Sequence, residues 1–216
     1  MAKKIGVIGT VQVGQTLADG FLKHGYTVMR GSRDPGKLAE WKGGAGASAS
    51  TGTFAETAAF GELVVLAVKG TAAESAIDLS GAQNLRGKTV IDTTNPIAYQ
   101  PPVHGVLHFF TTLEDSLMEK LQRRAPDARF VKAFSCVGSA FMVDPALPGG
   151  PPTMFICGNH AGAKDEVKSI LKEFGWDISD MGASEGARAI EPLCILWCIP
   201  GMTGQGWSHA LKLLRA

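Results

Sequence analysis

Short apolar runs alternate with segments of helical spacing along most of the chain. Ile5–Gly6–Val7–Ile8 is a β-type run that meets Gly9, and Val13, Leu17 and Phe21 then recur on one helix face until Gly25. A second strand is expected over Tyr26 to Arg30. A loop with a short third strand within Gly43 to Gly52 and a short helix over Thr53 to Gly61 should follow. Leu63 to Val68 is apolar without a break, as suits a parallel strand covered on both faces. Next come an amphipathic helix through Ile77, a strand at Thr89 to Asp92 and an irregular excursion over Tyr99 to Thr111. Thr112–Leu113–Glu114–Asp115 reads as the capping box of a helix running to Arg124.

After Pro126 the pattern resumes with strands at Arg129 to Phe134, Thr153 to Cys157 and Trp176 to Asp180. The helix Ala163 to Phe174 places Val167, Ile170, Leu171 and Phe174 on one face. Ser184 should cap a last apolar helix bent by Pro192, broken at Gly201 to Gly206 and followed by a short terminal helix. This alternation predicts an α/β protein with a Rossmann-type doubly wound parallel sheet in residues 1–126. Residues 127–216 would form a smaller C-terminal α/β segment packed on it. No internal repeat or low-complexity linker separates the two.

Composition narrows the function classes. The 216 residues are 45% hydrophobic and 19% charged, enough to bury a core, and the net charge of +1 without a basic stripe argues against a nucleic-acid partner. The longest apolar runs fall far short of the ~18 residues a membrane span needs, and Lys3–Lys4 leads into a strand rather than a signal segment. Cys136, Cys157, Cys194 and Cys198 lack C-x-x-C spacing and read as buried thiols of a reduced cytoplasm rather than metal ligands. His104 and His108 are four residues apart, but Gly105 and nearby prolines oppose the helix that would align them on a metal.

The glycine turn carries the candidate chemistry. Gly9 and Gly14 occupy the outer positions of a G-x-G-x-x-G fingerprint, with Val11 in the middle, so Gly9, Thr10, Val11, Gln12, Val13 and Gly14 are candidates for holding a pyrophosphate. Where NAD enzymes end strand two on an acid, this chain reads Arg30–Gly31–Ser32–Arg33–Asp34–Pro35–Gly36–Lys37. Ser32 and Arg33, helped by Lys37, suit a 2′-phosphate, and the inferred cofactor is NADP. Val68, Lys69, Thr94, Asn95 and Pro96 end later strands and belong near the nicotinamide, because ligands of such sheets lie beyond the strands' carboxyl ends.

Val-Ile-Gly-Thr-x-x-Val-Gly, Gly31–Ser32–Arg33, Ile91–Asp92–Thr93–Thr94–Asn95–Pro96 and Val131–Lys132–Ala133–Phe134 together resemble the coenzyme F420-dependent NADP oxidoreductases, especially their bacterial dinucleotide-binding relatives. Gly150 to Phe155 and Ala187–Arg188–x-x-Glu191–Pro192–Leu193 extend the likeness over nearly the whole chain. The resemblance implies hydride transfer between NADPH and a deazaflavin in a cleft between the two parts. The reductase domains of membrane ferric reductases share this fold with a flavin as acceptor. Relatives carry Gly and Asn at positions 11 and 12, and Phe-Asn-Thr-Val where this chain has Phe134–Ser135–Cys136–Val137.

Phe134, Ser135, Cys136, Trp197 and Met202 are the expected acceptor-side residues. No Lys, His and carboxylate constellation offers itself, so no catalytic side chain is assigned, as suits direct transfer between bound cofactors. A β-hydroxyacid or imine dehydrogenase would need a proton donor, for which Lys69 and Lys132 are the candidates, and Lys132 lies mid-strand where it should face outward. A non-catalytic NADP sensor is the reading that Val11 favours. The apolar last helix and Phe109–Phe110 fit either a core or the face of a homodimer.

Overall fold

The computed structural model describes residues 2–215. Strands β1 (Lys4–Ile8), β2 (Thr27–Gly31), β3 (Ala49–Gly52), β4 (Leu63–Leu66), β5 (Thr89–Asp92) and β6 (Arg129–Lys132) form one sheet in the order β3-β2-β1-β4-β5-β6. Every neighbouring pair runs parallel. β4 and β5 are buried at every position, which explains why Leu63 to Leu66 shows no alternation.

Helices cover both faces of the sheet. They are α1 (Gln12–Lys23), α2 (Ala39–Gly44), α3 (Phe54–Phe60), α4 (Ala73–Ser80), α5 (Ala82–Leu85) and α6 (Leu117–Arg124). Leu17, Ala18 and Phe21 of α1 bury against β1 and β2, while Ile77, Leu117 and Leu121 seal the opposite face. The C-terminal part adds a two-stranded parallel sheet of β7 (Thr153–Ile156) and β8 (Asp177–Asp180), with α7 (Ala161–Glu173) between them. Where Pro192 was expected to bend a single helix, two short helices form instead, α8 (Ala187–Ile190) and α9 (Leu193–Met202).

Several local expectations are corrected. The capping box of α6 is Ser116 with Glu119, not Thr112 with Asp115: Ser116 Oγ accepts from the Glu119 N–H while Glu119 Oε2 accepts from the Ser116 N–H. Thr112 only closes a turn with the Glu114 N–H. β6 pairs with β5 and so completes the main sheet, although the sequence reading assigned Arg129 to Phe134 to the C-terminal part. No terminal helix forms among the described residues after Gly206; the chain there runs irregularly, and Thr153 donates its N–H to Leu211 O. Helix α2, with Trp41 at its centre, was not read from the sequence at all.

Lys132 is the largest correction. It does not face outward; it is 0% exposed, with Nζ 2.7 Å from Asp92 Oδ2 and 2.9 Å from Glu191 Oε1. It also donates to Thr94 O at 2.8 Å. Glu191 in turn accepts from the Leu117 and Met118 N–H groups at 3.0 Å each, capping α6 from the C-terminal part. Burial alone would lower the lysine pKa, but the two carboxylates outweigh it and hold the ammonium at about 12.

Candidate functional site

The glycine turn follows β1 and opens α1. Gly9 has φ +148, and a side chain there would collide with the Ala67 carbonyl oxygen of the chain leaving β4. A Cβ on Gly14 would come within 2.8 Å of the Gly9 carbonyl oxygen, so α1 leans directly on the turn. Val11, at φ −87, needs no glycine. It is the N-cap of α1 and caps with no side-chain hydrogen bond, leaving the first-turn N–H groups to other acceptors. Its isopropyl group stands in the wall of the site, half exposed, rather than under it.

Two clefts meet at that wall. One, of about 570 Å³, is lined by Gly9, Thr10, Ser32, Arg33 and Lys37 on one side and by residues of α4, including Ser75 and Leu79, on the other. The second, of about 340 Å³, is mostly apolar and is lined by Val13, Gly70, Thr93, Asn95, Ile97 and Ala98. Val11, Ala67, Val68, Lys69, Thr71 and Tyr99 border both, making them one continuous groove across the carboxyl ends of β1, β2 and β4.

The charged end is shaped by the turn after β2. Ser32 is buried and its Oγ accepts the Asp34 N–H at 3.0 Å. Asp34 caps the following turn, its Oδ1 accepting from the Gly36 N–H at 3.1 Å. Asp34 lines the same cleft with one carboxylate oxygen engaged locally, while Arg33 and Lys37 are exposed and form no ion pair among the described residues. Two cations and a hydroxyl beside that one carboxylate suit a phosphate.

The apolar end is held by buried polar groups just behind its wall. Asp92 Oδ1 accepts from the Thr94 N–H at 2.9 Å and from Thr94 Oγ1 at 2.7 Å, while Lys132 grips the Thr94 carbonyl. Asn95 Nδ2 donates to Ser135 O at 2.8 Å, and Ser135 Oγ returns a hydrogen bond to Asn95 Oδ1. Asn95 thus reaches the cleft in a fixed orientation, and its neighbours Thr94 and Pro96 are buried behind it.

The predicted site residues divide accordingly. Gly9, Thr10, Val11, Val13, Ser32, Arg33, Lys37, Val68, Lys69 and Asn95 line the groove. Gln12 points away, its amide donating to Thr16 Oγ1 at 3.3 Å. None of the five expected acceptor-side residues lines the cleft; Ser135 is buried behind it and bonded to Asn95. Phe134 is core, edge-on to Trp176 with ring centroids 6.4 Å apart. Cys136 and Trp197 pack in a separate buried cluster with Leu107, Cys194 and Cys198. Burial pushes the Cys136 thiol up to about 12, away from the thiolate that a nucleophile requires. Met202 lies at the far end of α9, beside Gly105. Thr93, Ile97 and Tyr99 were missed; strand parity could have found Thr93, but the irregular loop after Pro96 offers no periodic signal.

Comparison with known proteins fits this geometry. A family described as NADP oxidoreductase, coenzyme F420-dependent, matches residues 4–96. A candidate F420-dependent NADP-reductase from Arthrobacter sp. FB24 is 33% identical, superimposes with a TM-score of 0.92 and is covered, like this chain, over 100% of its length. Metalloreductase STEAP3 of Rattus norvegicus is 30% identical over 210 residues, which are 95% of this chain but 40% of that protein. The chain therefore spans well under half the length of that curated relative. A reductive aminase from Aspergillus terreus, solved with NADPH and ethyl levulinate, is 18% identical with a TM-score of 0.66 over 95% of this chain and 63% of its own, and shows the shared fold alone. Full-length likeness to the Arthrobacter protein and the matching family over the glycine turn agree: the chain belongs to the coenzyme F420-dependent NADP oxidoreductases and is an NADP-dependent oxidoreductase.

Proposed function

We propose that this protein carries a hydride between NADPH and a flavin or deazaflavin acceptor that approaches the apolar cleft. The observation that supports this most is the continuity of the groove: a polar, cationic end at Ser32, Arg33 and Lys37 opens into an apolar end at Val13, Ile97 and Tyr99. The first turn of α1 would hold the pyrophosphate, and Arg33 with Lys37 the 2′-phosphate. NADPH supplies a hydride from a ring that needs a dry, oriented slot. Val11, Val13 and Ala67 exclude water there, and Asn95, fixed by Ser135, offers a rigid polar edge.

The apolar cleft is lined by one lysine, Lys69, and one tyrosine, Tyr99, with no carboxylate or histidine among the described residues, and Lys132, the other candidate donor, is locked between two carboxylates. Transfer between two redox rings needs no proton donor at the substrate, whereas carbonyl or imine reduction would fall to Lys69 or Tyr99. Stopped-flow oxidation of NADPH with FMN, FAD and coenzyme F420 in parallel tests the reading. Saturable turnover with at least one is expected. Tight NADPH binding without turnover on any of the three would replace the enzyme reading with a sensor.

A further inference from the structure

Arg30 is buried more completely than any function assigned so far explains. It sits on β2, paired across the sheet with Val7 and Thr51, and is 1% exposed. Its guanidinium carbon lies over the Trp41 ring of α2, 4.8 Å from the centroid. Its polar contacts are sparse: Nη2 donates to Gly9 O at 3.4 Å, and Nε has no partner. No carboxylate forms an ion pair with it among the described residues. Asp19 is near enough to favour the charge, but its Oδ1 is taken by the Trp41 indole N–H at 2.7 Å.

A cation buried this way, without an ion-pair partner, is costly to the folded chain. Its surroundings show where the charge is directed. Arg30 lines a third cleft, of about 490 Å³, together with Thr10, Gln15, Lys37, Trp41 and two acids, Asp19 and Glu40. Thr10 and Lys37 also line the groove that holds Ser32 and Arg33. The two spaces therefore meet at the gap between Thr10 and Lys37, beside the loop assigned to the 2′-phosphate. An anion seated in that gap would meet exposed Arg33 and Lys37 from the groove and buried Arg30 from the third cleft. Arg30 is already held by burial and by its contact with Trp41, so little further side-chain entropy is lost when it is used.

The geometry points to Arg30 as a specificity residue for NADP, contacting the 2′-phosphate from beneath through the Thr10–Lys37 gap. The inference rests on the NADP reading of the Ser32–Lys37 loop and adds to it a buried charge that no surface motif announces. Arg33 and Lys37 work in water, where screening weakens them; Arg30 works from the protein interior, where a charge acts more strongly.

Calorimetric titration of the full chain with NADPH, NADH, adenosine 2′,5′-bisphosphate and AMP tests both layers. Arg30→Met keeps an unbranched apolar stem on β2 but removes the guanidinium and its charge. It is expected to weaken NADPH and the bisphosphate roughly tenfold to a hundredfold, the range for a charged hydrogen bond, while NADH and AMP change less than about twofold. Arg30→Lys should fall between. Should Arg30→Met not fold, nitrogen-15 NMR of the wild-type Arg30 Nε–Hε group replaces it: the signal should shift with the bisphosphate and not with AMP. Unchanged NADPH-to-NADH preference in Arg30→Met, or equal shifts with both ligands, would overturn the role of Arg30 alone. A wild-type chain that does not prefer NADPH would overturn the underlying cofactor reading instead.

Discussion

Two cations are buried in the central sheet, and the protein treats them oppositely. Lys132 is enclosed by Asp92 and Glu191 and by the Thr94 carbonyl, so its charge is spent within the fold. Arg30 meets one distant carbonyl and an indole face, so its charge is left to act outward. The first ties β5, β6, α6 and the C-terminal part into one body. The second borders a cleft that adjoins, at Thr10 and Lys37, the groove proposed for the nucleotide. A buried charge with partners reads as scaffold, whereas one without partners reads as binding equipment.

Removing each charge should separate them. Lys132→Met leaves two buried carboxylates facing each other and should cost about 3–5 kcal/mol, measured by urea unfolding. Arg30→Met removes a charge without an ion-pair partner and should stay within about 1 kcal/mol of wild type in the same assay. Equal losses in the two variants would erase the distinction. Neutralising the carboxylates as well, with Asp92→Asn and Glu191→Gln on top of Lys132→Met, should recover part of the loss.

The surface counterpart of Arg30 sharpens the same contrast from the ligand side. Arg33→Ala should leave stability unchanged and lower NADPH affinity roughly tenfold relative to NADH, as read by fluorescence titration. Raised salt should narrow the difference, because Arg33 is exposed.

A partnered carboxylate extends the comparison to pH. Hydrogen bonds from Arg188, then from Ser116, outweigh burial and hold Glu119 at about 2, below its ordinary 4.5. The folded-state pKa lies below the unfolded one, so the stabilisation is complete above about pH 5 and is lost as the pH falls toward 2. Arg188 is 38% exposed, so screening reduces the effect to about 1–2 kcal/mol. Glu119→Gln should remove that part of the acid-side slope in thermal melts; an unchanged slope would contradict it.

The smallest expected effect belongs to Val11. Its backbone is ordinary and its side chain stands in the groove wall, so Val11→Gly should change NADPH affinity by less than about threefold. A larger gain would mean that the isopropyl group crowds the pyrophosphate.

The sheet was legible because its central strands are buried on both faces and bounded by glycine or proline, a signal that Leu63 to Val68 and Thr89 to Asp92 display plainly. The lining of the charged end was legible for a related reason: Gly9, Ser32 and Arg33 are placed in the groove by local backbone geometry at fixed spacing. The acceptor end was not. Its walls come from Thr93, Ile97 and Tyr99 on a loop without period, and from contacts such as Asn95 with Ser135 that only tertiary folding creates. Lys132 misled for the same reason, since a mid-strand lysine signals exposure until Asp92 and Glu191 are brought to it. Trp41 and Arg30 gave no signal because neither belongs to a motif, and only their stacking shows a purpose.

A crystal structure of the protein with NADP bound tests the central claim most directly. The account predicts the 2′-phosphate among Ser32, Arg33 and Lys37, the pyrophosphate on the first turn of α1, and the nicotinamide beside Asn95 and Val13. A dinucleotide displaced from the groove by Val11, or lying with its nicotinamide outside the apolar cleft, would contradict it.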